Sequence, residues 1–113
     1  MNTLFILNDG PYGTESSYNA LRLARALTKE KGQIVRVFLM GDAVLCAKSG
    51  QQVPSGYYNA GDMVRMIRGE IALCGTCMDA RGLTDEEVVK GAQRSTLKQL
   101  AEWTAAADKV LVF

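Results

Sequence analysis

The apolar positions of this chain fall into short continuous runs separated by stretches of helical periodicity. Thr3–Leu7 opens the chain with one such run, Ile34–Met40 forms a second, and Lys109–Phe113 closes it. Runs of this length, rich in β-branched and aromatic residues and without strict alternation, suit strands covered on both faces, as in parallel α/β sheets. Ile71–Leu73 predicts a fourth, shorter strand, and Ala92–Arg94 a fifth with a weaker pattern.

Between the runs the period changes to that of a helix. Ala20, Leu21, Ala24 and Leu27 form one stripe, widened by Leu23 and Ala26. The helix that carries it is predicted to be capped by Thr14 and to run to about Lys31. There Lys29 and Lys31 oppose the negative end of the dipole and Gly32 supplies the stop. Asp42 is placed to cap a short helix through Ala47, and residues 59–68 carry Met63, Met66 and Ile67 at helical spacing. Thr84-Asp85-Glu86-Glu87 matches a capping box, followed by Val88, Val89 and a stop at Gly91. Ser95 is placed to cap a last helix ending near Asp108, with Leu97, Leu100, Ala101 and Thr104 on one face and Trp103 packing beside it. The alternation predicts a single α/β domain over residues 1–113, with helices on both faces of a parallel sheet. In such sheets ligands gather at the carboxyl ends of the strands. The loops Asn8–Thr14 and Cys74–Gly82 follow strands directly, and the long Lys48–Tyr58 loop is rich in Gly, Gln, Ser and Pro.

Composition narrows the classes. A chain of 113 residues suffices for one core, and 48% hydrophobic against 22% charged residues is an ordinary globular balance. A formal net charge of +1 gives no electrostatic case for a nucleic-acid or membrane partner. No apolar run approaches the roughly 20 residues that cross a bilayer. Met1–Leu7 lacks a basic region and a small-residue cleavage site, so it reads as a strand and not as a signal peptide. Three cysteines, an odd number, argue against a secreted disulfide framework and make a reducing cytoplasm the expected compartment.

The chemistry concentrates in Cys74-Gly75-Thr76-Cys77, just beyond a strand. Thiols three residues apart share a face of a helical turn. A thiol at a helix start meets the positive end of the dipole, which favours the thiolate nucleophile. Arg81 is placed to stabilise a sulfur anion, and Asp79 acts in the opposite direction. The chain has no histidine, which removes Cys-His catalytic pairs and mixed Cys/His zinc sites. Two nearby thiols fall short of the four ligands of a structural zinc site, so no metal and no cofactor is expected. Thioredoxin-like motifs follow the first strand of their fold, whereas this one follows the third. Core filling by both cysteines is the bland alternative, although a strand-to-helix loop is an unusual place for it. Cys46, among Ala43, Val44, Leu45 and Ala47, reads as core or subunit interface.

The loop Asn8-Asp9-Gly10-Pro11-Tyr12-Gly13-Thr14-Glu15-Ser16 places glycines before a helix, a setting that can cradle an anion. It is neither a Walker A loop nor G-x-G-x-x-G, and Glu15 would repel a phosphate, so a turn with a helix cap is the simpler reading. Gly10, Tyr12, Gly13 and Glu15 are nevertheless candidates to border the thiols, together with Gly75, Thr76 and Arg81. Tyr57 and Tyr58 suit a subunit interface, while Met63 and Met66 suit core packing.

Taken together, Gly10–Ser16, Val37–Val44, Leu73–Gly82, Thr96-Leu97, Ala101–Thr104 and Ala107–Leu111 resemble the DsrE/DsrF-like family, in its YchN-type subgroup. The resemblance implies a three-layer α/β/α domain with a five-stranded, mainly parallel sheet. It also implies a homo-oligomer, a homohexamer of two trimers face to face in this subgroup. Family members in sulfur oxidation and tRNA thiolation carry sulfur as a cysteine persulfide, passed between donor and acceptor proteins. Their active cysteine lies after a strand, about eight residues before the glycine of an Arg-Gly step, and Cys74 and Gly82 match that spacing. Cys77 is the extra thiol of the subgroup. The expectation is a sulfur carrier with Cys74 as the more reactive thiol, its site lying between the Gly10–Ser16 and Cys74–Gly82 loops. A dithiol redox protein and a non-catalytic oligomeric binding module remain the alternatives.

Overall fold

A computed structural model describes residues 1–113. Five strands, β1 (Asn2–Leu7), β2 (Ile34–Leu39), β3 (Glu70–Cys74), β4 (Ala92–Ser95) and β5 (Lys109–Val112), form one sheet in the order β4-β3-β2-β1-β5. Every pairing is parallel. The connections carry α1 (Ser16–Leu27), a 3-10 segment Gly41–Ala47, α2 (Ala60–Arg65), α3 (Gly75–Ala80), a 3-10 turn Asp85–Glu87 and α4 (Leu97–Ala106). The expected three-layer α/β/α architecture is therefore present.

The two outer layers are unequal. Paired residues of a parallel sheet share a face, so Phe5, Val37, Leu39, Ile71 and Leu73 point to one side. There they join Ala20, Leu21 and Ala24 of α1, Val64 of α2 and Met78 of α3 in a cluster of 20 buried residues. The opposite side carries only α4, whose Leu100 and Trp103 pack on Leu4, Phe38 and Ala72. Phe38 meets Trp103 edge-on, with ring centroids 6.1 Å apart at 88°, the arrangement the ring quadrupoles favour. Gly69, before β3, lies so close to β2 that a Cβ there would collide with the Val35 carbonyl.

Several element ends differ from the sequence expectation, each for a local reason. Glu15 and not Thr14 is the N-cap of α1, because the Thr14 hydroxyl bonds the Asp9 carboxylate. The helix ends at Leu27, and Lys29 and Lys31 lie in the turn beyond it. Asp42 sits inside its 3-10 segment, which Met40 precedes as N-cap. Asn59 caps α2 by accepting the Asp62 N–H, and the helix ends at Arg65. The Thr84 capping box forms, yet it holds a single 3-10 turn, since Val88 leaves in extended form to bridge Lys48. Ser95 ends β4, and Thr96 takes the cap of α4 by accepting the Gln99 N–H. Leu97, assigned to the buried face of α4, is 69% exposed, and Trp103 is buried in its place. No helix is long and apolar enough to cross a membrane.

Candidate functional site

The chain's path over the sheet creates one crevice. The connection leaving β3 turns into α3 on the heavily covered side, where Met78 is buried in the large cluster. The connection leaving the neighbouring β4 turns into α4 on the opposite side. Adjacent strands whose connections part to opposite faces leave a gap at their carboxyl ends, and ligands of open α/β sheets bind at such switch points.

Cys74 sits at that gap. It is the last residue of β3 and the N-cap of α3, with its side chain on the α4 side beside Ala72. A cleft of about 300 Å³ is lined there by Cys74, Gly75, Thr76, Asp79, Arg94, Ser95, Thr96 and Leu97. Cys77, one turn along, leans toward the large cluster on the other side. Its backbone N–H donates to Cys74 Sγ at 3.4 Å.

Gly75 makes the crevice narrow. A Cβ at that position would lie 3.1 Å from the Arg94 side chain and 3.1 Å from the Ser95 carbonyl oxygen. Glycine thus lets α3 approach the end of β4. Arg94 bridges the two elements, donating to the Gly75 carbonyl at 3.1 Å, the Asp79 carboxylate at 3.0 Å and the Asp85 carboxylate at 2.7 Å. The two carboxylates hold its guanidinium above the ordinary arginine pKa. Arg94 therefore acts at the crevice as a fixed donor group more than as a free positive charge.

Burial is the largest influence on the Cys74 thiol and raises its pKa, and the hydrogen bond with the Cys77 side chain raises it further. The N–H groups of Cys77 and Thr76 act in the opposite direction and are outweighed. The helix-start argument alone favours the thiolate. α3 has only six residues, and burial reverses the sign.

The sequence-derived residues divide into two groups. Cys74, Gly75 and Thr76 meet at the cleft, and Cys77 stands behind them. Arg81 faces away from it: its guanidinium pairs with Asp42 at 2.9 Å and donates to the Cys77 carbonyl at 3.1 Å. The Gly10 loop is on the same edge of the sheet, but β2 separates β1 from β3. Gly10 lies against Asp42, whose carboxylate pairs with Arg81, and Arg81 in turn donates to the Cys77 carbonyl. Tyr12, Gly13 and Glu15 do not line the Cys74 cleft. Ser17 and Tyr58 instead anchor their loop, donating to the carbonyls of Asp9 at 2.6 Å and Pro11 at 2.8 Å.

Arg94, Ser95 and Thr96 border the thiol, although the sequence pattern assigned none of them to the site. Their signal was present as an arginine at the carboxyl end of a short strand followed by a helix cap. The strand Ala92-Gln93-Arg94-Ser95 is too polar to stand out. Cys46 is fully buried in the large cluster, with its sulfur 3.9 Å from the Asp9 carbonyl, so the core assignment holds.

Comparison with known proteins extends this picture. The model of the DsrE/DsrF-like family matches residues 1–113. Protein YchN of Escherichia coli is 40% identical over 114 residues, covering 97% of each chain. The protein MK0008 of Methanopyrus kandleri is 34% identical, covering 96% of this chain and 90% of its own. The crystal structure of YchN superposes with a TM-score of 0.93, covering 99% of this chain and 98% of that one. MTH1491 of Methanobacterium thermoautotrophicum, at 11% identity and a TM-score of 0.72, shares the fold.

Proposed function

The chain belongs to the DsrE/DsrF-like family, a family associated with sulfur relay, and on that premise we propose that it accepts and passes on sulfane sulfur as a persulfide of Cys74. The observation that carries this reading is the placement of a part-exposed thiol in the switch-point crevice between β3 and β4. The Cys74 thiolate attacks the outer sulfur of a donor persulfide, forming a new S–S bond as the donor's own S–S bond breaks. The electron pair leaves with the donor thiolate. Attack by an acceptor thiolate on the outer sulfur returns Cys74 to its starting state, so the cycle involves no net redox change.

A raised thiol pKa slows both steps, since it lowers the thiolate fraction for the first attack and makes Cys74 a poorer leaving group in the second. A persulfide is a stronger acid than its parent thiol, so the loaded form is anionic at neutral pH. The N–H groups of Thr76 and Cys77 already favour negative charge on this sulfur. The crevice is narrow, which suits transfer between protein cysteines brought together at the α4 side. Donor and acceptor proteins, a reducing compartment and self-association all belong to this proposal.

The position of Cys77 one turn beyond Cys74, with its backbone N–H on the Cys74 sulfur, favours one alternative, a dithiol redox protein. Cys77 attack on the inner sulfur of the Cys74 persulfide would give a Cys74–Cys77 disulfide and release hydrogen sulfide. Intact mass after treatment with an organic persulfide separates the readings: a gain of about 32 Da per carried sulfur, or a loss of about 2 Da for the disulfide. Unchanged mass would contradict both and leave the binding-module reading.

A further inference from the structure

On the side of the sheet opposite Cys74, α1 and the segment around α2 present a second surface to which the sulfur site gives no role. All four tyrosines of the chain gather at one end of it. Tyr18 stacks on Tyr58 at 4.3 Å between ring centroids, Tyr58 on Tyr57 at 4.7 Å, and Tyr12 stands 5.4 Å from Tyr58. Tyr57 ends the stack half exposed, in a cavity that it shares with Tyr18, Tyr58 and the Glu15 carboxylate. The Arg22 guanidinium lies over Tyr18, 5.2 Å from its centroid.

From Arg22 the surface becomes basic. Tyr18, Arg22, Arg25 and Lys29 are spaced four, three and four residues apart, so they follow one face from α1 into the turn after it, over about 16 Å. Beyond them a cleft of about 660 Å³ is lined by Arg25, Thr28, Lys29, Arg65, Met66 and Arg68, without a carboxylate among its lining residues. Arg65 is paired with Asp62, whereas Arg22, Arg25, Lys29 and Arg68 are in no ion pair. Asp79, Asp85 and Glu86 gather instead around a cleft at the end of β4. The net charge of +1 therefore conceals an uneven distribution. Arg25 and Arg65 also counter the negative ends of α1 and α2, but that accounts for neither Lys29 and Arg68 nor the aromatic stack beside them.

We propose that this face binds a short single-stranded nucleic-acid segment, its backbone following Arg22, Arg25, Lys29 and Arg68 and a base stacking on Tyr57. A basic track leading to an exposed aromatic ring is the arrangement by which single strands are held without sequence preference, since every base has a π-face and every phosphate a charge. An acidic peptide would satisfy the cations but leave the exposed face of Tyr57 without a partner.

Fluorescence anisotropy with a short labelled oligothymidylate, titrated between about 50 and 200 mM salt, tests the assignment. Binding should weaken with salt. The triple variant Arg25→Glu, Lys29→Glu, Arg68→Glu should lower the log–log salt slope by about two, the share of three phosphates on a single strand. Tyr57→Ala should weaken binding at least about fivefold, and Tyr57→Phe should leave it unchanged. These side chains are exposed, and Cys74→Ser should bind as the parent does, which separates this face from the sulfur site. Absence of binding at the lowest salt would overturn the proposal. Equal competition by polyglutamate, no effect of Tyr57→Ala, or a fall in oligomer size on Tyr57→Ala would each do the same, the last by making the face a contact between copies.

Discussion

Two buried or part-buried thiols behave oppositely to exposed ones, and each has a measurable consequence. Burial pushes Cys46 from 9.0 up to about 12. The folded protein thus keeps a proton that the unfolded chain loses above pH 9, so its contribution is complete below that pH and is lost as pH rises toward 12. The slope is about 1.4 kcal/mol per pH unit. Urea midpoints measured from pH 8 upward should fall more steeply for the parent than for Cys46→Ala, and parallel curves would contradict the buried-thiol assignment. At the crevice, Arg94→Ala should slow sulfur loading of Cys74 about tenfold, equivalent to about 1.4 kcal/mol in the barrier. It also frees Asp79, which lines the Cys74 cleft, so the pH profile of Cys74 alkylation should move to higher pH. Arg94→Lys should recover part of the rate. Arg81→Ala should matter less, because Asp42 holds that guanidinium on the other side of the loop. A larger effect from Arg81 than from Arg94 would return the site to the Gly10 loop.

At the scale of the element, the strands were legible and their order was not. Thr3–Leu7 and Ile34–Met40 are apolar without interruption because both faces of β1 and β2 are covered, and that pattern reads directly from sequence. Nothing local records that the last strand pairs with the first, or that β2 lies between β1 and β3. Those facts depend on which side of the sheet each helix takes, which set the crevice at β3 and β4 and not at β1 and β3. Helix ends were misplaced by a residue or two where neighbouring hydroxyls compete. Ser95 and Thr96 are both fit to cap α4, and β4 pairing takes the first. Thr96→Ala should therefore cost about 1 kcal/mol and lower Tm by about 4 °C, with Ser95→Ala costing less. Differential scanning calorimetry of the two variants decides between them.

For the whole molecule, the thin α4 layer matters most. Val112 is 65% exposed and Val110 is 39% exposed on the edge strand β5, with Leu97 at the end of α4. These apolar side chains lie on the same side of the sheet as Cys74, since Leu4 pairs with Val110 and Ile6 with Val112. Tyr57 and Tyr58, which also suit self-contact, lie with Tyr18 of α1 on the other side of the sheet. The expected assembly, a hexamer or trimer of 12.3 kDa chains, is accordingly proposed to form over the α4 and β5 side. Sedimentation of the parent should show the oligomer, and Val112→Asp with Leu97→Asp should reduce its size. A parent that sediments as a clean monomer at micromolar concentration would contradict this arrangement.

The central claim is that sulfur rides on Cys74 in the β3–β4 crevice. Loading the protein with a persulfide donor bearing heavy-isotope outer sulfur, trapping with a haloacetamide and mapping the peptides would test it most directly. The account predicts heavy sulfur on Cys74 in the parent and in Cys77→Ser, none in Cys74→Ser, and its loss when a small acceptor thiol is added. Heavy sulfur on Cys46 or Cys77 with Cys74 unlabelled, or equal loading of Cys74→Ser, would contradict it.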